Sequence, residues 1–265
     1  MNQDILRFWA HAAQHFGVDS ILSKVPKFIQ EPPLANDIVR RCVFVGLNPS
    51  FVAAPPVGHL NVWIQEHLIL DPYPEVFQWN NQSIDWQNGP QNYEQVQAAV
   101  EAMALLHHDA RNWYPFFGRV NALANAMMIP INGYVHLDIY LWLTQNGGEV
   151  AGRIAQYPAL ARRQECLFLK LLDWVHPNDV LCLYPRVGNA IYTLCTNHTM
   201  GFWRDGDWQP VPNRPLRQVK IYRLGNQQPI TLFKPIRRCI PNGAWAMSNQ
   251  AFQDVLTFFH NRYPN

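Results

Sequence analysis

From Asp4 to Phe16 the apolar residues Ile5, Phe8, Trp9, Ala12, Ala13 and Phe16 recur every three or four positions, the period of an amphipathic helix. The run Arg41-Cys42-Val43-Phe44-Val45-Gly46-Leu47-Asn48 is β-branched and aromatic, with no polar alternation before Asn48. A strand covered on both faces reads this way, as in a parallel sheet. Tyr93 to His107 and Trp113 to Met128 return to the helical period, and Gly133 to Trp142 predicts a second strand. Pro158 to Val175 predicts a helix, Asp179 to Tyr184 a third strand, and Gly188 to Cys195 another helix. Gln218 to Leu224 and Pro229 to Lys234 predict two strands joined at Gly225-Asn226-Gln227-Gln228, and Ser248 is the expected cap of a last helix running to Arg262. Strand and helix alternate, which is the α/β pattern.

Composition narrows the class. A chain of 265 residues that is 48% hydrophobic is expected to form a compact globular protein, with residues 1–265 as a single domain. Its 21 Lys and Arg nearly balance 19 Asp and Glu, for a net charge of +2, so nucleic-acid contact has to come from local patches. Such a patch exists in the sequence: 201–240 carries eight Lys or Arg and only Asp205 and Asp207, whereas 51–110 carries seven carboxylates and no Lys or Arg. No apolar run approaches the ~18 residues that span a bilayer, and the N-terminus does not read as a signal peptide. Five cysteines without a CxxC pair suggest neither a disulfide framework nor a metal site, and the expected location is the reducing cytoplasm. Residues 49–92 are loop-rich over a length far beyond an ordinary connection, and loops of that kind carry function.

Ligands of open α/β sheets sit beyond the carboxyl ends of the strands. The first strand ends in Gly46-Leu47-Asn48-Pro49-Ser50-Phe51: a Gly for close backbone approach, an Asn at the strand tip, a Pro that stiffens the turn and an aromatic just beyond. This resembles the first active-site motif of the uracil-DNA glycosylase superfamily, in the Gly-x-Asn-Pro form of the mismatch-specific and thymine-DNA glycosylases. The resemblance implies a three-layer α/β/α fold around a central parallel four-stranded sheet. It implies that Asn48 positions the water that attacks the sugar and that Phe51 stacks on the flipped base, with Gly46, Pro49 and Ser50 shaping the substrate site. Gly133-Tyr134-Val135-His136-Leu137-Asp138 resembles the family's Gly-x-x-x-Leu-Asn strand, with Asp138 where the family has the base-reading Asn. An ionised Asp only accepts hydrogen bonds, so it suits a base presenting amino or imino donors better than uracil.

The family's second motif follows the last strand and often contains His-Pro-Ser or Asn-Pro-Ser. Phe233 to Trp245 has no His, and either Lys234-Pro235 or Pro241-Asn242-Gly243 is its counterpart. By the same resemblance Asn242 and backbone N–H groups would stabilise the departing base, while Lys234, Arg237 and Arg238 would hold DNA phosphates. Trp245 would be a wedge if it projects from the same loop. The resemblance covers roughly 41–260 and leaves out an N-terminal extension, 1–40, and an insertion, 199–217.

Other signals have plainer readings. His11 and His15 are four apart on a helix but lack a third metal ligand, and His107-His108-Asp109 point in different directions. His136, assigned to the face opposite Asp138, reads as a core or interface histidine, and Cys42 and Cys182 as buried small hydrophobes. The leading expectation is a DNA-glycosylase-like hydrolase that needs no metal or redox cofactor. Its rivals are a superfamily member that binds nucleic acid or a nucleotide-like ligand without catalysis, and a regulatory component whose acidic 51–110 region packs on a protein partner or covers the pocket.

Overall fold

A computed structural model describes residues 41–47, 111–112, 115–131, 133–140, 147–197, 209–210, 219–224, 230–235, 237, 239 and 246–263. Along them run β1 (Cys42–Gly46), α1 (Pro115–Ala126), β2 (Tyr134–Asp138), α2 (Gly147–Gln156), α3 (Pro158–Val175), β3 (Asp179–Cys182), α4 (Pro185–Asn197), β4 (Gln209–Pro210), β5 (Val219–Leu224), β6 (Ile230–Pro235) and α5 (Asn249–Arg262). The expected helices at 4–16 and 93–107, and the loop-rich 49–92, lie outside the described residues, as do His11, His15, His107, His108 and Asp109. The chain divides into two compact units, one formed by Met1–Pro32, Asn48–Trp113 and Asp138–Phe168, the other by Pro33–Leu47, Tyr114–Leu137 and Leu169–Asn265.

The strands form one sheet in the order β2-β1-β3-β6-β5-β4. Its α/β part is the expected four-stranded parallel sheet, β2-β1-β3-β6. The sheet then continues into an antiparallel margin, because β5 pairs with β6 and β4 with β5 in that sense. Strand β6 therefore belongs both to the parallel core and to the hairpin expected from Gln218 to Lys234.

Successive strand residues point to opposite faces, and all five residues of β1 are buried, so both faces are covered. The register sets Phe44, Leu181, Phe233 and Ile221 in one row and Val43, Val180 and Leu232 in the next. On the Phe44 face, Tyr134 meets the Phe44 ring edge-on at 5.0 Å and donates its hydroxyl to Asn121 Oδ1 of α1 at 2.7 Å. Phe259 of α5 meets Phe233 at 4.9 Å. Helices α1 and α5 thus cover this face, and α4 packs on β3 and β6 from the other side. His136 is buried, with Phe117 of α1 edge-on at 5.7 Å. It shares a face with Asp138, contrary to the expectation from sequence, because residues two apart on a strand point the same way. Cys42 and Cys182 are buried as expected.

Local chemistry explains the element ends. α3 runs over the expected Pro158–Val175, with Pro158 at its first position, His176 left-handed at φ 48° behind it and Pro177 next. α1 stops at Ala126 because Met128 turns left-handed, φ 59°. The Met128 and Ile129 N–H groups then reach back to the Asn125 and Ala124 carbonyls at 2.9 and 2.8 Å, a Schellman closure. α4 begins at Pro185, three residues ahead of expectation. Ser248 caps α5, its Oγ accepting from the Ala251 N–H at 3.1 Å.

Gly188 lies inside α4, where an added Cβ would overlap Cγ and crowd Cβ and Cδ of Lys234. The stem of Lys234 therefore lies against α4, and the close approach of helix to strand requires the missing side chain. Gly118 and Gly152 have nothing within 4 Å of such a Cβ. Gly188→Ala is expected to destabilise the protein by about 1–2 kcal/mol, overpacking outweighing helix propensity. Gly118→Ala and Gly152→Ala are each expected to stabilise it by about 0.5–1 kcal/mol. Thermal unfolding of the three variants checks this, and equal signs for all three would mean that α4 does not approach β6 this closely.

Candidate active site at the carboxyl end of the sheet

The carboxyl ends of β1, β3 and β6 lie on one edge of the sheet because these strands run parallel. From β1 the chain moves to β2 on one side, whereas β3 and β6 lie on the other. The order thus reverses between β1 and β3, which is the topological switch point where open α/β sheets bind ligands. Gly46 closes β1 there and is buried, and the half-buried Leu47 follows it. Asn48, Pro49, Ser50 and Phe51 come next in the chain and lie outside the described residues.

Two backbone hydrogen bonds bring a second segment to the same edge. Leu183, just past β3, donates its N–H to the Val45 carbonyl at 2.9 Å. Cys239, four residues past β6, donates its N–H to the Leu183 carbonyl at 3.1 Å. The start of the first motif and the segment that leaves β6 are thus joined through one residue. Between β6 and Cys239, Arg237 is exposed. Lys234, half-buried, lies one residue before the end of β6. Arg238, Asn242 and Trp245 lie outside the described residues. Asp138 is the last residue of β2 and is 8% exposed, a carboxylate taken almost wholly out of water, and burial on that scale calls for polar partners.

The residue that sequence reading missed is Arg119. It projects from α1 and donates through Nη1 to the carbonyls of Cys239 at 2.9 Å and Met247 at 3.2 Å, and through Nη2 to Asn249 Oδ1 at 2.8 Å. Its guanidinium also lies over the Phe252 ring, 4.6 Å from the centroid. All these partners lie 120 or more residues away in sequence, so no local pattern could reveal them. Burial pushes the neighbouring Cys239 thiol up to about 12, against the opposing pull of the Arg119 charge.

In the other unit, Tyr140 donates its hydroxyl to Glu165 Oε1 at 2.7 Å, and Arg162 reaches Glu165 at 3.7 Å. Burial first, and then the Glu165 hydrogen bond and charge, hold the Tyr140 phenol far above its ordinary range. Its hydroxyl is a buried donor at neutral pH.

Among the described residues, no group of three or more His, Cys, Asp or Glu could hold a metal ion, and no helix is long and apolar enough to cross a membrane. In comparisons with known proteins, no protein-family model, no curated protein and no solved structure matches this chain.

Proposed function

We propose that the protein is a DNA-glycosylase-like hydrolase that cleaves the N-glycosidic bond of a damaged or deaminated base flipped out of DNA. The observation that carries this reading is where Gly46 and Leu47 lie: at the end of β1, beside the β1/β3 switch point, with the segment after β6 hydrogen-bonded to Leu183 at the same edge. Asn48 follows Leu47 in the chain, two residues past the end of β1, and an amide side chain there is suited to hold a water against the sugar. In the reaction the water oxygen bonds to C1′ as the C1′–N bond breaks. The base leaves with the bonding pair, and the proton released by the water is taken up by solvent or base. Phe51 stacks on the extruded base, Asp138 accepts hydrogen bonds from its edge, and Lys234, Arg237 and Arg238 hold phosphates. Backbone N–H groups and Asn242 stabilise the leaving anion.

The test is base release from single- and double-stranded oligonucleotides carrying uracil, hypoxanthine, xanthine or a G·T mismatch. The Asn48→Ala protein is run beside the wild type. The expected result is release by the wild type and a loss of about a hundredfold or more in the variant, with thermal stability nearly unchanged. Release that persists in the variant would remove Asn48 from the chemistry. The second reading is a nucleic-acid or nucleotide-binding module without catalysis, favoured by Asp138 and by the absence of His between Phe233 and Trp245. Binding of these oligonucleotides without release by the wild type would select it.

A further inference from the structure

The geometry points to Arg119 as the positioning residue of the second active-site segment: one guanidinium holds both ends of the stretch between Cys239 and Met247 at the carboxyl end of the sheet. This rests on the glycosylase reading for its effect on the reaction, but not for the holding itself.

Nη1 bonds the Cys239 carbonyl at one end of the stretch and the Met247 carbonyl at the other, and Nη2 bonds Asn249 in the first turn of α5. The Phe252 ring lies against the guanidinium, its centroid 4.6 Å from Cζ, and adds a cation–π contact. Cys239 is in turn bonded through its N–H to Leu183, and Leu183 to Val45 of β1. A continuous path therefore runs from α1 through Arg119 and Cys239 to the strand that opens the first motif. In sequence, Pro241, Asn242 and Gly243 lie between the two held carbonyls. A Lys ammonium lacks the planar fork that reaches three acceptors from one centre, so Arg is required and Lys substitutes only in part. Arg119 acts through the segment it holds and touches neither base nor sugar.

The experiment compares wild type, Arg119→Ala, Arg119→Lys and Asn249→Ala in two assays: amide hydrogen exchange, and single-turnover base release from the oligonucleotide that the wild type cleaves. Exchange of peptides covering 239–249 is expected to quicken at least tenfold in Arg119→Ala, with β1 and β3 unchanged, and by a smaller factor in Arg119→Lys and Asn249→Ala. The single-turnover rate is expected to fall at least tenfold in Arg119→Ala, with substrate affinity changed less than threefold. Guanidinium ion at tens of millimolar, against sodium at equal ionic strength, is expected to restore part of that rate. Unchanged exchange in all three variants would overturn the holding role. Faster exchange with a wild-type rate, or a lost rate that neither Lys nor guanidinium restores, would overturn the positioning role. If Arg119→Ala does not fold, Arg119→Lys and Asn249→Ala carry the same comparison. No base release by the wild type would end the catalytic half together with the glycosylase reading, and the exchange data would still decide whether Arg119 holds the segment.

Discussion

Replacing Phe233 with alanine is expected to cost about 3–5 kcal/mol, as for other large-to-small changes at fully buried aromatics, and to lower the melting temperature by on the order of 10 °C. Phe233 is 2% exposed, in the centre of β6. Leu181 is its neighbour on one side of the register and Ile221 on the other. Phe259 stands edge-on to it at 72°, and the Arg262 guanidinium lies 5.7 Å from its centroid. The ring therefore fills the space between sheet and α5, which the surrounding strands cannot close. A double-mutant cycle with Phe259→Ala should show a coupling of about 0.5–1.5 kcal/mol beyond the separate burial losses. Strict additivity in that cycle would mean that α5 docks without this ring pair.

The second large effect is loss of stability at alkaline pH. Burial pushes the Cys239 thiol up from its ordinary 9.0 to about 12 in the folded protein, the nearby Arg119 charge opposing it. The unfolded chain releases this proton first. The contribution is therefore fully present below pH 9 and is lost as pH rises from 9 toward 12, an effect on the order of a few kcal/mol. Tyr140 acts in the same direction above pH 10, since burial and then Glu165 keep its phenol protonated in the fold. Urea unfolding at pH 7, 9, 10 and 11 is expected to show falling midpoints. Cys239→Ala should flatten the fall between pH 9 and 10, and Tyr140→Phe should lessen it above 10. A wild-type slope in Cys239→Ala would show that the thiol is open to water in the folded state.

What could be read in the chain follows from how local each signal is. Pro158 and Pro177 bracket α3, and Ser248 opens α5, so these helices were legible to the residue. β1 was legible because five consecutive residues had to be apolar to be buried on both faces. α2 escaped because it opens on Gly147-Gly148, which reads as loop chemistry. The expected start of α4 at Gly188 falls three residues inside the helix, where the glycine marks the packing of helix on Lys234. Among the described residues β4 has two, one of them proline, too few for any period. For the candidate site, the end of β1 was marked by Gly46, a signal carried by neighbours in the chain, whereas Asn48 to Phe51 lie outside the described residues. The clamp on the segment after β6 was not marked at all: Arg119 is one basic residue on a helix, and its three acceptors become neighbours only when the chain has folded.

The short β4 has a consequence for self-association. A sheet whose last strand is long and regular offers a row of open amide and carbonyl groups to any passing extended chain, including another copy of itself. Among the described residues the antiparallel margin ends in Gln209 and Pro210, and proline has no amide hydrogen to donate. Over the described residues, an incoming strand would find a template of two residues, one of which has no amide hydrogen. A margin of that make-up is a poor template for growth, and concentrated solutions should show little strand addition at Gln209 and Pro210.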